Sequence, residues 1–275
     1  MDLKFKKAVS DVFSLKYFWI YLFFAAVVTT LSSILQSAKE VPFHNSISNF
    51  ISIFSYISTG YLLIVINNLL HENNLNNDNE NFWQNLWNST KKGLKYFLGS
   101  LANMIIVFSV GAIIAISAVL IFMAVTHNTV TENNIFTFWQ LKLILGCLAI
   151  ILSIFMLFIL KLLPIAYAEN FSIKDMFCWK KVFKTFFQKG KTKTTLAILG
   201  IYILFLIAIF LTMFLIMFIV NLLFVYTIKT LLTNNYVAAA FLINLSGVIT
   251  PFFAATAHFI LISIVYNMLA YTYKN

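Results

Sequence analysis

The chain has 275 residues, of which 61% are apolar and only 10% charged, whereas soluble domains carry roughly a quarter charged. Thirty Phe and twelve Tyr give more apolar surface than a fold of this size can hide from water, which excludes an ordinary soluble domain and leaves the bilayer as solvent. The net charge of +10 comes from nineteen Lys and no Arg. This excess sits between apolar stretches, where it reads as an orientation signal and an anionic-lipid contact, not as a nucleic-acid surface. The absence of Arg also argues against a rigid bidentate clamp on phosphate or carboxylate.

A bilayer-crossing helix needs about 20 largely apolar residues, and six stretches qualify. Phe5, Ala8, Val9, Val12 and Phe13 form a short apolar face ahead of the first, Tyr17–Leu35. Lys4, Lys6, Lys7 and Lys16 in front of it imitate a signal peptide. The apolar run is too long, however, and Gln36-Ser37-Ala38 is a poor cleavage site, so an uncleaved helix is expected. The second stretch is Ile51–Leu70. Next, Trp83, Leu86, Trp87, Thr90, Leu94, Phe97 and Leu98 recur with helical period, with Gln84, Asn85, Asn88, Lys91, Lys92 and Lys95 on the other face. This amphipathic helix leads into the third stretch, Leu101–Val125, and the fourth is Leu141–Tyr167. Ile173, Met176, Phe177, Phe183, Phe186 and Phe187, opposed by Lys174, Lys181 and Lys184, repeat the pattern before the fifth, Leu196–Tyr226. The sixth, Val237–Leu269, contains Pro251, where a kink is expected.

Sixteen lysines fall at the N-terminus, the second and fourth loops, Lys161 and the C-terminus; three, Lys39, Lys142 and Lys229, fall on the opposite side. The positive-inside rule then predicts both ends in the cytoplasm of a multi-pass protein of the cell membrane. The expected fold class is all-α: a polytopic membrane protein, one integral membrane domain over 1–275 with six transmembrane helices. Repeats at 3–70, 82–168 and 172–271 would each pair an in-plane amphipathic helix with a transmembrane hairpin. Lys91, Lys92, Lys95, Lys174, Lys181 and Lys184 would then face anionic lipid from the cytoplasmic headgroup layer. The plainer alternative is that any multi-hairpin protein places basic amphipathic segments on that side.

The run Gly60-Tyr61-Leu62-Leu63, a polar loop, Trp83 and Gly93-Leu94-Lys95 resemble an uncharacterised bacterial and archaeal membrane family, domain of unknown function 4013. Tyr167-Ala168-Glu169-Asn170, with the helix around Phe177 and Trp179, is similar to that family's segment after its fourth span. The resemblance extends from about Asp2 to Tyr271. It implies a six-helix membrane protein of unknown activity and brings no catalytic residues with it.

Motifs with known chemistry are absent or incomplete. Gly190-Lys191-Thr192 ends like a phosphate-binding loop, but Thr185 replaces the first Gly and the preceding segment reads as helix. His71-Glu72 starts like a zinc-protease pair, but Leu75 stands where the second His would be. His44 and His127, near Glu40 and Glu132, have the chemistry of metal ligands without a spacing that demands it. Cys147 and Cys178 make no disulfide framework. No catalytic, cofactor or metal residue is therefore assigned.

The one intramembrane candidate is a polar and small-residue stripe on the sixth span, Asn244, Gly247, Pro251, Ala254, Ala255 and His258. It either lines a path, with His258 titratable, or packs tightly around the kink, and packing is the preferred reading. Three functions remain. The leading one is a transport-related or scaffolding component acting with a membrane or ATPase partner. The others are a lipid-interacting, membrane-organising protein and, least supported, an intramembrane enzyme.

Overall fold

Long apolar stretches with no internal carboxylate fold as helices because, away from water, only the helix satisfies every backbone group within its own segment. The computed structural model describes residues 2–37, 43–71, 81–126, 139–188, 190–231 and 236–274, and no strand occurs among them. In chain order the helices are α1 (Asp2–Phe13), α2 (Phe18–Ser37), α3 (His44–Ile53), α4 (Ser55–Leu70), α5 (Phe82–Thr126) and α6 (Trp139–Asn170). A 3-10 turn (Ile173–Phe177) precedes α7 (Trp179–Phe186), α8 (Thr192–Leu231) and α9 (Tyr236–Lys274). Five helical segments are long and apolar enough to cross a bilayer: Phe18–Ser37, His44–Leu70, Phe82–Ala124, Thr192–Ile219 and Gly247–Lys274. The fourth expected span falls on α6, which contains a shorter apolar stretch, Leu141–Ser153.

The second span starts earlier than its apolar run. Helix begins at His44 and breaks only at Phe54. Serines pack this helix against α2: Ser32 Oγ on α2 lies 2.8 Å from Ser48 Oγ and 2.7 Å from Ser52 Oγ on α3. Small hydroxyl residues of this kind let helices approach closely while satisfying one another.

The amphipathic segments differ from the expected in-plane helices. Residues 82–98 do not form a separate element; they are the first part of α5, a helix of 45 residues, about 67 Å long at 1.5 Å per residue. Its tryptophan and leucine face is indeed turned outward, with Trp83 73% and Trp87 60% exposed. The opposite side, however, packs in part on protein, with Gln84, Lys91 and Lys95 still exposed. Asn85, Ser89 and Gly93 are buried against α2 and α4, where the Tyr21 hydroxyl lies 2.9 Å from Asn85 Oδ1 and 3.1 Å from Ser89 Oγ. Before the fifth span the departure is larger. Helix α7 has only eight residues, and its apolar face (Val182, Phe186) is buried in the bundle instead of facing outward. Helix α1 likewise buries Ala8 and Val12 and packs on α9.

The most extensive interface joins α4 to α5. A Cβ at Gly60 would fall on the Ser89 carbonyl oxygen and 2.7 Å from the Gly93 amide nitrogen; one at Gly93 would fall on the Tyr56 carbonyl oxygen. Tyr21 stacks on Tyr61 at 4.2 Å beside this contact, and Ser58 Oγ donates to the Tyr21 carbonyl at 3.1 Å. The core continues through Ile66 on α4, Leu162–Ala168 on α6 and Val265–Ala270 on α9. Further along α5 and α8 the surface is apolar, with Ile105, Phe108, Ile113, Ile116, Phe210, Phe214 and Phe218 all exposed. Helix α9 runs through Pro251 and α6 through Pro164 without a change of element.

Gly60→Ala and Gly93→Ala should each destabilise the protein by about 1–3 kcal/mol or more, as overpacking does. Gly200→Ala, where a Cβ meets nothing within 4 Å, is the neutral control. Thermal unfolding in detergent measures all three; equal transitions would show that the glycine contact does not hold α4 to α5.

Candidate functional site

The polar residues of the chain converge at one corner, the end of α6. Phe171, just past that end, has φ 50°, and its amide donates to the Tyr167 carbonyl at 2.7 Å. Glycine or asparagine usually holds such a left-handed position, and a bulky residue there is strained. The ring is kept in place by Lys92, whose ammonium stands 3.8 Å from its centroid, and by edge contact with Tyr167 at 5.8 Å.

Every residue of the corner ties down a different element. The Tyr167 hydroxyl donates to the Lys92 carbonyl of α5 at 3.1 Å. Asn67 of α4 donates to the carbonyls of Ala168 (2.7 Å) and Glu169 (3.2 Å), satisfying acceptors that a helix end leaves open. Glu169 Oε2 accepts from the Tyr273 hydroxyl of α9 at 2.7 Å and from Lys181 of α7 at 3.2 Å. Asn170 donates to Asp175 Oδ2 at 3.3 Å. Lys191, ahead of α8, donates to the Tyr273 carbonyl at 3.2 Å, and Tyr271 donates to Asp11 of α1. The helix ends that the lysine count assigns to a single side of the membrane are therefore gathered at one end of the bundle.

A second cluster joins α6, α8 and α9. Tyr202 Oη lies 3.3 Å from His258 Nε2, and the Lys161 ammonium stands 4.4 Å from the Tyr202 ring centroid and 5.9 Å from that of Tyr266. Tyr202 and Tyr266 are buried and His258 lies at the bundle surface. Lys161 and His258 are close enough for their charges to act on one another.

Of the stripe on the sixth span, only His258 enters a polar cluster. Pro251, Ala254 and Ala255 are half-buried on α9, and no described atom comes within 4 Å of a Cβ built at Gly247. The Asn244 side chain lies outside the described residues. Two other polar groups on α9, Thr250 Oγ1 and Asn267 Nδ2, are buried without a partner among the described residues.

The six lysines expected to face lipid separate into two groups. Lys92 and Lys181 hold the corner, whereas Lys91, Lys95, Lys174 and Lys184 are exposed, Lys91 with its ammonium 4.8 Å from the Trp87 ring. Glu40, His127 and Glu132 lie outside the described residues, and among those described no three His, Cys, Asp or Glu gather for a metal. The convergence of Lys161 and His258 on Tyr202 is the feature that sequence reading missed. Its signal was present, since both are titratable residues inside apolar stretches, but only the fold places α6 beside α9.

Residues 46–225 match the model of a family described as Protein of unknown function (DUF4013). The matched region is narrower than the Asp2–Tyr271 resemblance. It holds the Gly60–Gly93 contact, the corner and Lys161, and leaves His258 and Tyr273 outside. No curated protein and no solved structure matches the chain.

Glu169→Ala should cost about 1–3 kcal/mol, because it strands the Tyr273 hydroxyl as well as breaking the ion pair. Lys181→Ala, which removes only a partly exposed ion pair, should cost under about 1 kcal/mol. Unfolding of the two variants side by side tests the order; equal losses would mean that Tyr273 contributes nothing.

Proposed function

The chain belongs to the family described as Protein of unknown function (DUF4013), and from its geometry we propose an integral membrane scaffold, or transport-related component, that holds partner proteins at the cytoplasmic face. In this reading six helices cross the cell membrane, α6 being the fourth, and both ends lie in the cytoplasm. The observation that carries it is the corner at Glu169. Side chains of α4, α6, α7 and α9 and the segment before α8 meet there, so the end of the bundle with most of the lysines is a rigid platform. A surface built on fixed elements holds a partner in register better than one built on loops. Lys174, Lys180 and Lys184 stand exposed around it, an electropositive rim that suits a partner with an acidic face.

The lipid-organising reading has its own observation. Trp83 and Trp87 are exposed on α5 with Lys91 over the Trp87 ring, the arrangement of an interfacial anchor at an anionic membrane.

The two native cysteines test the topology. Cys178 is exposed next to α7 and Cys147 is exposed within the apolar part of α6. A membrane-impermeant maleimide should label Cys178 in inverted vesicles and not in intact cells, and lipid should shield Cys147 in both. Labelling of Cys178 from outside the cell would reverse the orientation.

Cross-linking the tagged protein in its native membrane and purifying it tests the scaffold. A stoichiometric partner is expected, reduced several-fold by changing Lys174, Lys180 and Lys184 together to Gln, which leaves the Glu169 contacts intact. Recovery of selected anionic lipids without any protein would transfer the weight to the lipid reading.

A further inference from the structure

Among the described residues Lys161 is a cation held among apolar side chains with no counter-ion. All nine acidic residues of the chain lie outside the six apolar stretches, and the described groups that contact its ammonium are aromatic rings. Ring faces attract a cation but carry no net charge, and an ammonium away from water is costly until an anion joins it. Snorkelling does not explain the geometry. The ammonium is laid on Tyr202 and reaches towards Tyr266, nine residues or about 13 Å short of the end of α6.

Two donors stand beside it. With the imidazole proton on Nε2, His258 donates to the Tyr202 oxygen at 3.3 Å, and the phenol proton is left free for a third group. From Tyr202 the same face of α8 continues as Leu206, Ile209 and Met213, at i+4, i+7 and i+11, which with Ile207, Phe210 and Leu211 line an open apolar groove of about 460 Å³. A cationic head with hydrogen-bond donors thus stands one helical turn from a shallow apolar groove along the same helix. The geometry points to a binding site for a fatty acid, its carboxylate on Lys161 and the Tyr202 hydroxyl and its acyl chain along Leu206–Met213. A single groove takes one chain, and a free carboxylate can sit below the headgroup layer more easily than a two-chain phospholipid.

The site requires that α6, α8 and α9 lie in a bilayer, and the test separates that premise from the site itself. The full chain is placed in phosphatidylcholine nanodiscs with stearic acid spin-labelled near its methyl end, and the motionally restricted fraction is read by electron paramagnetic resonance. Wild type should hold stearate above the level set by phosphatidylcholine. Lys161→Gln should weaken this about ten-fold or more, as loss of a charged hydrogen-bond partner does. Lys161→Arg should retain it, and Tyr202→Phe, which keeps the ring under Lys161, should weaken it several-fold. Equal binding by wild type and Lys161→Gln, equal retention of the uncharged methyl ester, or retention of labelled phosphatidylglycerol in place of stearate would each overturn the proposal. If the wild-type chain does not enter the discs, the membrane reading falls and the site with it.

Discussion

Helices that meet inside lipid gain nothing by leaving water, so their association depends on how closely their backbones approach. Between α4 and α5 the approach is limited by main-chain atoms alone, because Gly60 and Gly93 contribute no side chain. The surrounding order follows from that contact. Tyr21 of α2 fits the step beside it, stacked on Tyr61 and hydrogen-bonded to Asn85 and Ser89. With α2 fixed there, its outer half meets α3 through the serines, and its first residues meet α9, where Phe18 lies 5.7 Å from Phe259. A methyl group at either glycine would push apart the pair on which three other helices rest.

The corner at Glu169 shows how a chain with nineteen lysines and nine acids uses its few carboxylates. Glu169 and Asp11 each accept from a tyrosine of α9, Tyr273 and Tyr271, two residues apart and pointing to different neighbours. One helix end is thereby clamped from both sides, to α6 and to α1. A phenol is a suitable partner at such a boundary, since its ring packs with apolar side chains while its hydroxyl reaches the carboxylate. Phe186, buried beside Tyr273 at 5.4 Å, shows that the same ring also seats α7.

Much of this architecture was legible in sequence because apolar length is a strong signal: five of the six predicted spans overlap helical segments long and apolar enough to cross a bilayer, and the fourth falls on α6 with a shorter apolar stretch. The amphipathic segments were harder for a physical reason. Helical periodicity shows that two faces differ and does not say which of them meets protein. On residues 82–98 Asn85 and Ser89 turn inward to the Tyr21 hydroxyl while Lys91 and Lys95 stay exposed, whereas on α7 the apolar face packs inward. Ser48 lies ahead of the apolar run that marks the second span, and its place in a helix shows only where α2 and α3 stand side by side, with Ser32 against Ser48 and Ser52. Of the candidate sites, His258 stood out as a titratable residue in an apolar run, but its partners come from 56 and 97 residues away, Tyr202 and Lys161. The corner motif Tyr167-Ala168-Glu169-Asn170 was visible as a string, without any sign that α4, α5, the 3-10 turn, α7 and α9 would fasten to it.

The bond between Tyr271 and Asp11 spans 260 residues, and with the α2–α9 interface it sets an order of manufacture. Helices α1 and α2 are synthesised before α3 to α8, and the surface that covers them, α9, follows all of these. Until α9 arrives Phe18 and Ala8 have no permanent neighbour on that side, while α4 and α5 can already close on each other. The nascent chain therefore carries an open apolar seam while α3 to α8 are made, one that α9 closes on arrival.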